Sequence, residues 1–358
     1  MFYYLYNLKE HFFIFNVLRY ITFRAAYASI TSLLITFFFG RKFINYLKRR
    51  KFSERISPFL QETHSNKEGT PSFGGIILLV SVIISVLLWS DLGNRFIQYM
   101  LFVTIFMGGL GIWDDYRKYV KGEGLRPFLK ILMQSIPCVI IGTLLLIYPV
   151  KEGYTTLTSV LFFKNTFINL GWFYLPFIIL VVIATSNSVN LSDGLDGLAI
   201  GLSSIIAVTF VVIAYIAGNI KISSYLNILY IEGSGELSVY LAAFLGSAIG
   251  FLWFNSFPAE IFMGDTGSLM IGGILGMTSV LVKQEILFFI VSGVFVIEAL
   301  SVILQVFTFK TRKKRLFLMA PIHHHFQRRG WSEPKVVVRF WILGILFALL
   351  GLSTLKIR

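Results

Sequence analysis

The sequence predicts an all-α, polytopic integral membrane protein with about ten transmembrane helices. Hydrophobic residues make up 56% of the 358 and charged residues only 14%, against roughly 45–50% and 25% in a soluble domain. A span takes roughly 20 largely apolar residues, so this composition furnishes on the order of ten spans and leaves little for a large soluble domain. Stretches such as Phe173 to Val189 and Leu343 to Leu352 are almost unbroken apolar runs, whereas a transmembrane barrel alternates polar and apolar residues.

The spans follow in order. The first lies at 20–40, behind an aromatic and polar start that lacks the pattern of a cleavable signal, so this span is expected to act as its own signal. The second and third lie at 73–90 and 96–113, the third closing on Asp114 and Asp115. The fourth is at 129–148 and the fifth, from the run beginning at Phe173, at 173–190. The sixth, at 198–217, opens after DGLDG; the seventh is at 237–254. The eighth, at 267–282, begins just past Asp265. The ninth, at 286–308, contains Glu298 and Gln305 among apolar residues, and Gly293 loosens it, so it is expected to be broken. The tenth is at 336–355. No repeat of fixed period, low-complexity tract or linker divides residues 1–358, which read as a single transmembrane catalytic domain. The lone Cys138 excludes an intrachain disulfide and reads as packing.

The net charge of +14 has a membrane explanation, and no nucleic-acid partner is expected. With alternating spans the lysines and arginines collect in one set of loops: 41–72, the segment after span three with Arg117, Lys118, Lys121, Arg126 and Lys130, and the segment before the last span from Lys310 to Arg339. The opposite set holds only Arg95, Lys151, Lys164, Lys221 and Lys283. The basic set is read as cytoplasmic, with both termini periplasmic, and the same charges suit contact with anionic membrane lipids.

Of the six aspartates, Asp114, Asp115, Asp193, Asp196 and Asp265 fall at cytoplasmic ends of spans. Helix capping accounts for any one of them but poorly for five on one face. In GIWDDYRK, the adjacent Asp114 and Asp115 repel unless a divalent cation or cationic partner sits beside them, and one of them then suits a general base or metal ligand. In NSVNLSDGLDGLA, Asn187 and Asn190, and Asp193 and Asp196, share helical faces. Gly194 and Gly197 allow close backbone approach, and a helix starting near Leu198 is expected to aim its N-terminus at a phosphate. In NSFPAEIFMGDTGSL, Asp265 sits in a glycine-rich turn that suits magnesium, and Phe262 offers a flat face to a base or sugar. In APIHHHFQRRGWSEPK, three consecutive histidines cannot converge on one metal, so phosphate binding or proton handling is expected in place of zinc. Carboxylates, polar amides, cations and histidines at the border of hydrocarbon suit chemistry on the head group of a membrane lipid.

TPSFGG from Thr70, GIWDDY, NLSDGLDGLA, FNSFPAEIFMGDTGSL and APIHHHFQRRGWSEPKVVVRFW resemble the polyprenyl-phosphate N-acetylhexosamine-1-phosphate transferases, most closely the members that use a muramoyl-pentapeptide substrate. The likeness runs from about Tyr20 to the C-terminus. It implies a magnesium-dependent enzyme of the bacterial inner membrane, multi-pass and usually homodimeric, with its active site on the cytoplasmic face and a fragmented ninth helix. It implies transfer of phospho-MurNAc-pentapeptide from UDP-MurNAc-pentapeptide to undecaprenyl phosphate, giving lipid I and UMP in the first membrane step of peptidoglycan synthesis. By motif, Asp265 would hold magnesium, and Asp114 or Asp115 would deprotonate or position the lipid phosphate. Asn190, Asp193 and the glycines Gly194 and Gly197 belong with the nucleotide pocket, Phe262 stacks on uracil, Asp196 and Lys67 lie nearby, and Ser72, Asn187 and Asn255 are counted among the substrate-binding residues. Lys118 and Lys130 would neutralise phosphates, with His323, His324 and His325 on the sugar or phosphate side and His324 among the catalytic candidates. The resemblance leaves open a single displacement or an aspartyl-phosphate route. Ser72 and Ser192 stand where threonine is common and keep the hydroxyl; Gln327 stands where glutamate is common, so catalysis is not assigned there.

Two other readings are weighed. A sister enzyme transferring N-acetylglucosamine-1-phosphate to the same lipid would share the aspartate motifs, but the uninterrupted histidine run favours the muramoyl-pentapeptide substrate. An anionic-solute transporter would place its polar groups near the midplane and show repeat symmetry, whereas these acids gather at one face.

Overall fold

The computed structural model describes residues 1–50, 70–161, 163 and 166–357. Two 3-10 helices, Phe2–Leu8 and Phe13–Arg19, lead into α1 (Ile21–Arg50). This helix runs past its expected end because RKFINYLKRR contains neither glycine nor proline to stop it. Next come α2 (Gly75–Trp89) and α3 (Arg95–Lys121), which ends where Gly122 takes a φ of 74°. Then α4 (Pro127–Ile147) starts on a proline. A small antiparallel hairpin, β1 (Leu157–Ser159) with β2 (Phe167–Asn169), is the one sheet among the described residues. There follow α5 (Tyr174–Ser192), α6 (Leu198–Ala217), the short α7 (Ile220–Tyr225), α8 (Glu236–Asn255) and α9 (Gly264–Leu281). The ninth span is divided into α10 (Glu285–Val291) and α11 (Gly293–Arg312); the short α12 (Ile322–Arg328) and α13 (Glu333–Ile357) complete the chain.

Eight of these helices are long and apolar enough to cross a membrane. The 15-residue α2 and the central α9 occupy the positions expected of spans two and eight. Every residue of α9 from Asp265 to Leu281 is buried, and α2, α3, α5 and α6 surround it. A helix enclosed by protein needs no lipid-facing leucines; its glycines, serines and threonines let the neighbouring backbones come close.

The ninth span breaks at Ser292, as Gly293 suggested. A Cβ on Gly293 would lie 2.7 Å from the Phe347 ring, so α13 packs directly onto the break. Beyond it, the Gln305 Oε1 accepts from the Leu316 and Phe317 amides at 3.0 and 2.9 Å, pinning the loop that leads to α12.

At the end of the bundle away from the Asp114, Asp193 and Asp265 motifs, Arg24 is 1% exposed within α1. Its guanidinium forms a two-pronged pair with Glu236 of α8, at 2.7 and 2.5 Å, as a charge withdrawn from water requires. Lys283, counted above as a loop charge, is also buried. Its Nζ donates to the Thr155 carbonyl (2.8 Å) and the Tyr174 hydroxyl (2.7 Å), while Glu285 accepts from Thr158 and Tyr174, which fastens the β-hairpin region to the α9–α10 turn. Burial pulls the Lys283 ammonium down to about 8, with Glu285 opposing.

Candidate active site

The aspartate motifs meet at one end of the bundle, around the N-terminus of α9. Because α3 continues helically through DDYRK, Asp114 and Lys118 stand one turn apart on the same face, while Asp115 turns away by about 100°. The two acids therefore have different partners. Asp115 Oδ1 accepts from the Asp265 amide (2.9 Å), and its Oδ2 accepts from the Thr266 amide (2.9 Å) and hydroxyl (2.6 Å). It caps the start of α9, where amides lack helical partners and the helix dipole favours negative charge. A Cβ on Gly111 of α3 would collide with the Asp265 carbonyl, and one on Gly75 of α2 with the Gly267 backbone. Those glycines bring three helices into contact at this point.

Asp114 faces the other way. Its Oδ1 accepts from the Leu125 amide, and its Oδ2 lies 3.2 Å from Lys130 Nζ and 3.7 Å from Lys118 Nζ. Lys130, expected in a loop, projects from the first turn of α4. It also bonds Asp265 Oδ2, while Asp265 Oδ1 accepts from Lys118 Nζ at 3.0 Å and from Asn190 Nδ2 at 2.7 Å. Asn190 also donates to Ser268 Oγ at 2.8 Å. The Lys118 side chain is 36% exposed, against 14% for Lys130 and 2% for Asp114, so the cluster opens to solvent past Lys118. Helices α3, α4 and α9 thus place two carboxylates and two ammonium groups within ion-pair distance, with Asn190 of α5 beside them.

Asp193 caps α5 beside Gly194, and the rest of that turn is anchored to its neighbours. Asp196 is buried, accepts from the Ala259 amide at 3.0 Å, and its own amide donates to Glu333 Oε1 at 2.7 Å. The Gly197 amide donates to Asn255 Oδ1 at 3.1 Å, and Asn255 Nδ2 donates to the Ile261 carbonyl at 2.9 Å. Helix α6 starts at Leu198 as expected, but the turn amides leading into it already have protein acceptors. Asp196 and Asn255 brace the turn against loop 256–262. Asn187 sits one turn deeper than Asn190 and donates to Gln134 Oε1 at 2.8 Å, beneath the charged cluster. Ser72 is buried where TPSFGG pairs with the segment before Asp265: the Phe262 amide donates to the Pro71 carbonyl (2.9 Å) and the Gly74 amide to the Phe262 carbonyl (2.8 Å). Phe262 is half-buried between the fully buried Ile261 and Met263, an alternation that turns its ring away from the core. Lys67 lies outside the described residues.

The Nδ1 atoms of the three histidines on α12 have three different partners. His323 is fully buried, its Nδ1 3.1 Å from Glu298 Oε2 of α11. His324 Nδ1 lies 2.8 Å from Gln327 Oε1, so that glutamine orients a histidine. His325 Nδ1 accepts from the Leu318 amide at 3.1 Å and serves its own loop. His323 and His324 both bring Nε2 to Gly194: a Cβ there would lie 2.5 and 3.2 Å from them. Sequence reasoning missed Ser268, which the three-residue spacing from Asp265 could have revealed, and Thr266 and Glu333, whose roles arise only through tertiary contact.

Residues 97–283 match the family described as Glycosyl transferase family 4. Full-length relatives include the phospho-N-acetylmuramoyl-pentapeptide-transferase of Desulfotalea psychrophila, 47% identical over 100% of both chains. Those of Citrifermentans bemidjiense and Thermodesulfovibrio yellowstonii are each 48% identical over 99% of both chains. Matched over its whole length at nearly half identity, and matched by the family across the segment that supplies Asp114, Asp115, Asn190 and Asp265, this chain belongs to the phospho-N-acetylmuramoyl-pentapeptide-transferase family.

Proposed function

We propose that the chain transfers phospho-MurNAc-pentapeptide from UDP-MurNAc-pentapeptide to undecaprenyl phosphate, forming lipid I and UMP, as a multi-pass homodimer of the bacterial inner membrane. The observation that carries this reading is the Asp114–Lys118–Lys130–Asp265 cluster at the basic end of the bundle, in a chain of this family. The excess of lysine and arginine at that end supports a cytoplasmic active site.

The donor set suits magnesium. Asp114 and Asp265 offer hard carboxylate oxygens that converge on one cationic point, Lys130 Nζ. Among the described residues no three acids, histidines or cysteines close around a single point, so a cation there keeps positions for phosphate and water, as magnesium prefers. Asp265 would hold the ion, which when bound supplies positive charge to the diphosphate.

Lys118 and Lys130 set two ammonium groups against the reacting phosphates and stabilise the charge that builds up during transfer. Asn190 and the two lysines bond the Asp265 oxygens and fix the orientation of that carboxylate. Asp114, free of the helix-capping duty of Asp115, takes the proton of the lipid phosphate. A lipid phosphate oxygen then bonds to the sugar-proximal phosphorus, the bond from that phosphorus to the bridging oxygen breaks, and UMP leaves with the electron pair. Phe262, Asp193 and Gly194, together with Lys67, are assigned to the nucleotide side.

The test is UMP release by the purified protein with undecaprenyl phosphate, magnesium and either UDP-MurNAc-pentapeptide or UDP-GlcNAc. Turnover of the muramoyl substrate alone, lost on chelation and in Asp265→Ala, is expected. Turnover of UDP-GlcNAc alone would move the chain to the sister activity, and no UMP from either would refute the reading.

A further inference from the structure

We propose that Glu298 is a positioning residue for the transfer reaction: from the second half of the divided ninth span it fixes the His323 ring against the Asp193–Gly194 turn. Glu298 and His323 both have no exposed surface, and the Glu298 carboxylate lies 3.1 Å from His323 Nδ1. A carboxylate buried in a membrane helix is costly and persists where it has a task. Here it accepts the Nδ1 proton and thereby fixes both the tautomer and the ring plane, leaving the Nε2 lone pair free. That Nε2 is buried with no hydrogen-bond partner among the described residues, and it points at Gly194, whose missing side chain makes room for it: a Cβ would lie 2.5 Å away. The His324 ring lies 4.1 Å from that of His323, centroid to centroid, and its Nε2 reaches the same glycine. One buried hydrogen bond therefore ties α11, the histidine helix α12 and the turn carrying Asp193.

The consequence rests on the assignment of that turn to the nucleotide side. Glu298→Leu leaves the His323 Nδ1 proton buried without an acceptor and so lowers stability whatever the role of Glu298, but a purely structural role would leave the KM of both substrates unchanged. If it positions His323, the same replacement frees the ring to turn and disturbs the Asp193–Gly194 turn while the fold persists.

The experiment compares the full-length wild type with Glu298→Leu and Glu298→Gln for apparent Tm, kcat, and the KM of each substrate. Glu298→Leu should melt below wild type and, assayed while folded, show a KM for UDP-MurNAc-pentapeptide raised at least about tenfold, with the KM for undecaprenyl phosphate within about twofold. Glu298→Gln keeps an oxygen to accept from Nδ1 and should restore the KM to within about threefold of wild type. A Leu variant with wild-type KM, or a Gln variant as impaired as Leu, overturns the proposal. Should the Leu variant fail to fold, Gly194→Ala carries the test. It leaves the Glu298–His323 pair in place and obstructs Nε2, at a residue whose φ is not positive, and an unchanged KM there is equally fatal. A wild type that releases no UMP from the muramoyl substrate overturns the functional reading and, with it, this proposal; active wild type with unaltered variants overturns the proposal alone.

Discussion

The division of labour between Asp114 and Asp115 is the sharpest consequence of the geometry. Replacing Asp115 with alanine would strip the Asp265 amide, the Thr266 amide and the Thr266 hydroxyl of their acceptor. Each buried donor left unpaired costs about 1–3 kcal/mol, so the loss is about 3–6 kcal/mol after partial relaxation. Asn at the same position keeps one acceptor oxygen but turns an NH2 group toward a helix N-terminus, and should cost about 2 kcal/mol. Asp114→Asn leaves α9 capped and keeps an oxygen for the Leu125 amide, so its apparent Tm should stay within about 2 °C of wild type. Its kcat should nevertheless fall by about 10²–10⁴, the usual contribution of a general base. Thermal unfolding in detergent, read beside UMP release, separates the two effects. Asp115→Asn with an unchanged Tm, or Asp114→Asn with near-wild-type turnover, would show that the assigned roles are wrong.

Three further outcomes are expected. Lys130→Met removes the ammonium shared by Asp114 and Asp265 and should lower kcat about 100-fold or more, whereas Lys118→Met, at the more exposed side, should mainly raise the nucleotide-substrate KM; steady-state kinetics on both substrates distinguishes them. Gly111→Ala forces a Cβ against the Asp265 carbonyl and should reduce folded yield and apparent Tm at once, read by size-exclusion chromatography and a melting scan. Lys283 binds its proton less tightly when folded than when unfolded. The unfolded chain therefore holds more protons between about pH 8 and the ordinary lysine value near 10.5, and this residue's contribution to stability rises across that window. The Tm of the wild type minus that of Lys283→Met should increase from pH 8 to pH 10, and a flat difference would contradict the burial argument.

Much of the fold was legible from composition. Long apolar runs must become helices in hydrocarbon because no water satisfies the backbone there, so the spans were visible as uninterrupted runs and even the weak point of the ninth showed at Gly293. Boundaries at the basic end were not, since α1 and α3 continue as helices through charged residues that hydropathy alone excludes. The hairpin 157–169 was missed because three-residue strands carry no periodicity.

For the site, the aspartates, Lys118, Lys130 and Asn190 could be named from residue type and motif, because charge at a membrane border is expensive and so informative by itself. What each of them does was decided in three dimensions. Asp114 and Asp115 are chemically identical neighbours, and only the 100° step of the helix and the arrival of α9 make one a cap and the other a partner of two lysines. The histidine run likewise reads as one motif, yet helix geometry sends its members to a buried glutamate, to Gln327 and to the Leu318 amide. The sequence by itself determined the medium, the helices and the inventory of charges, because those depend on local composition. The tertiary structure alone decided which oxygen meets which proton, because the contacts of α9 with α3, α4 and α5 join residues 75 to 151 positions apart, a distance across which no local pattern carries information.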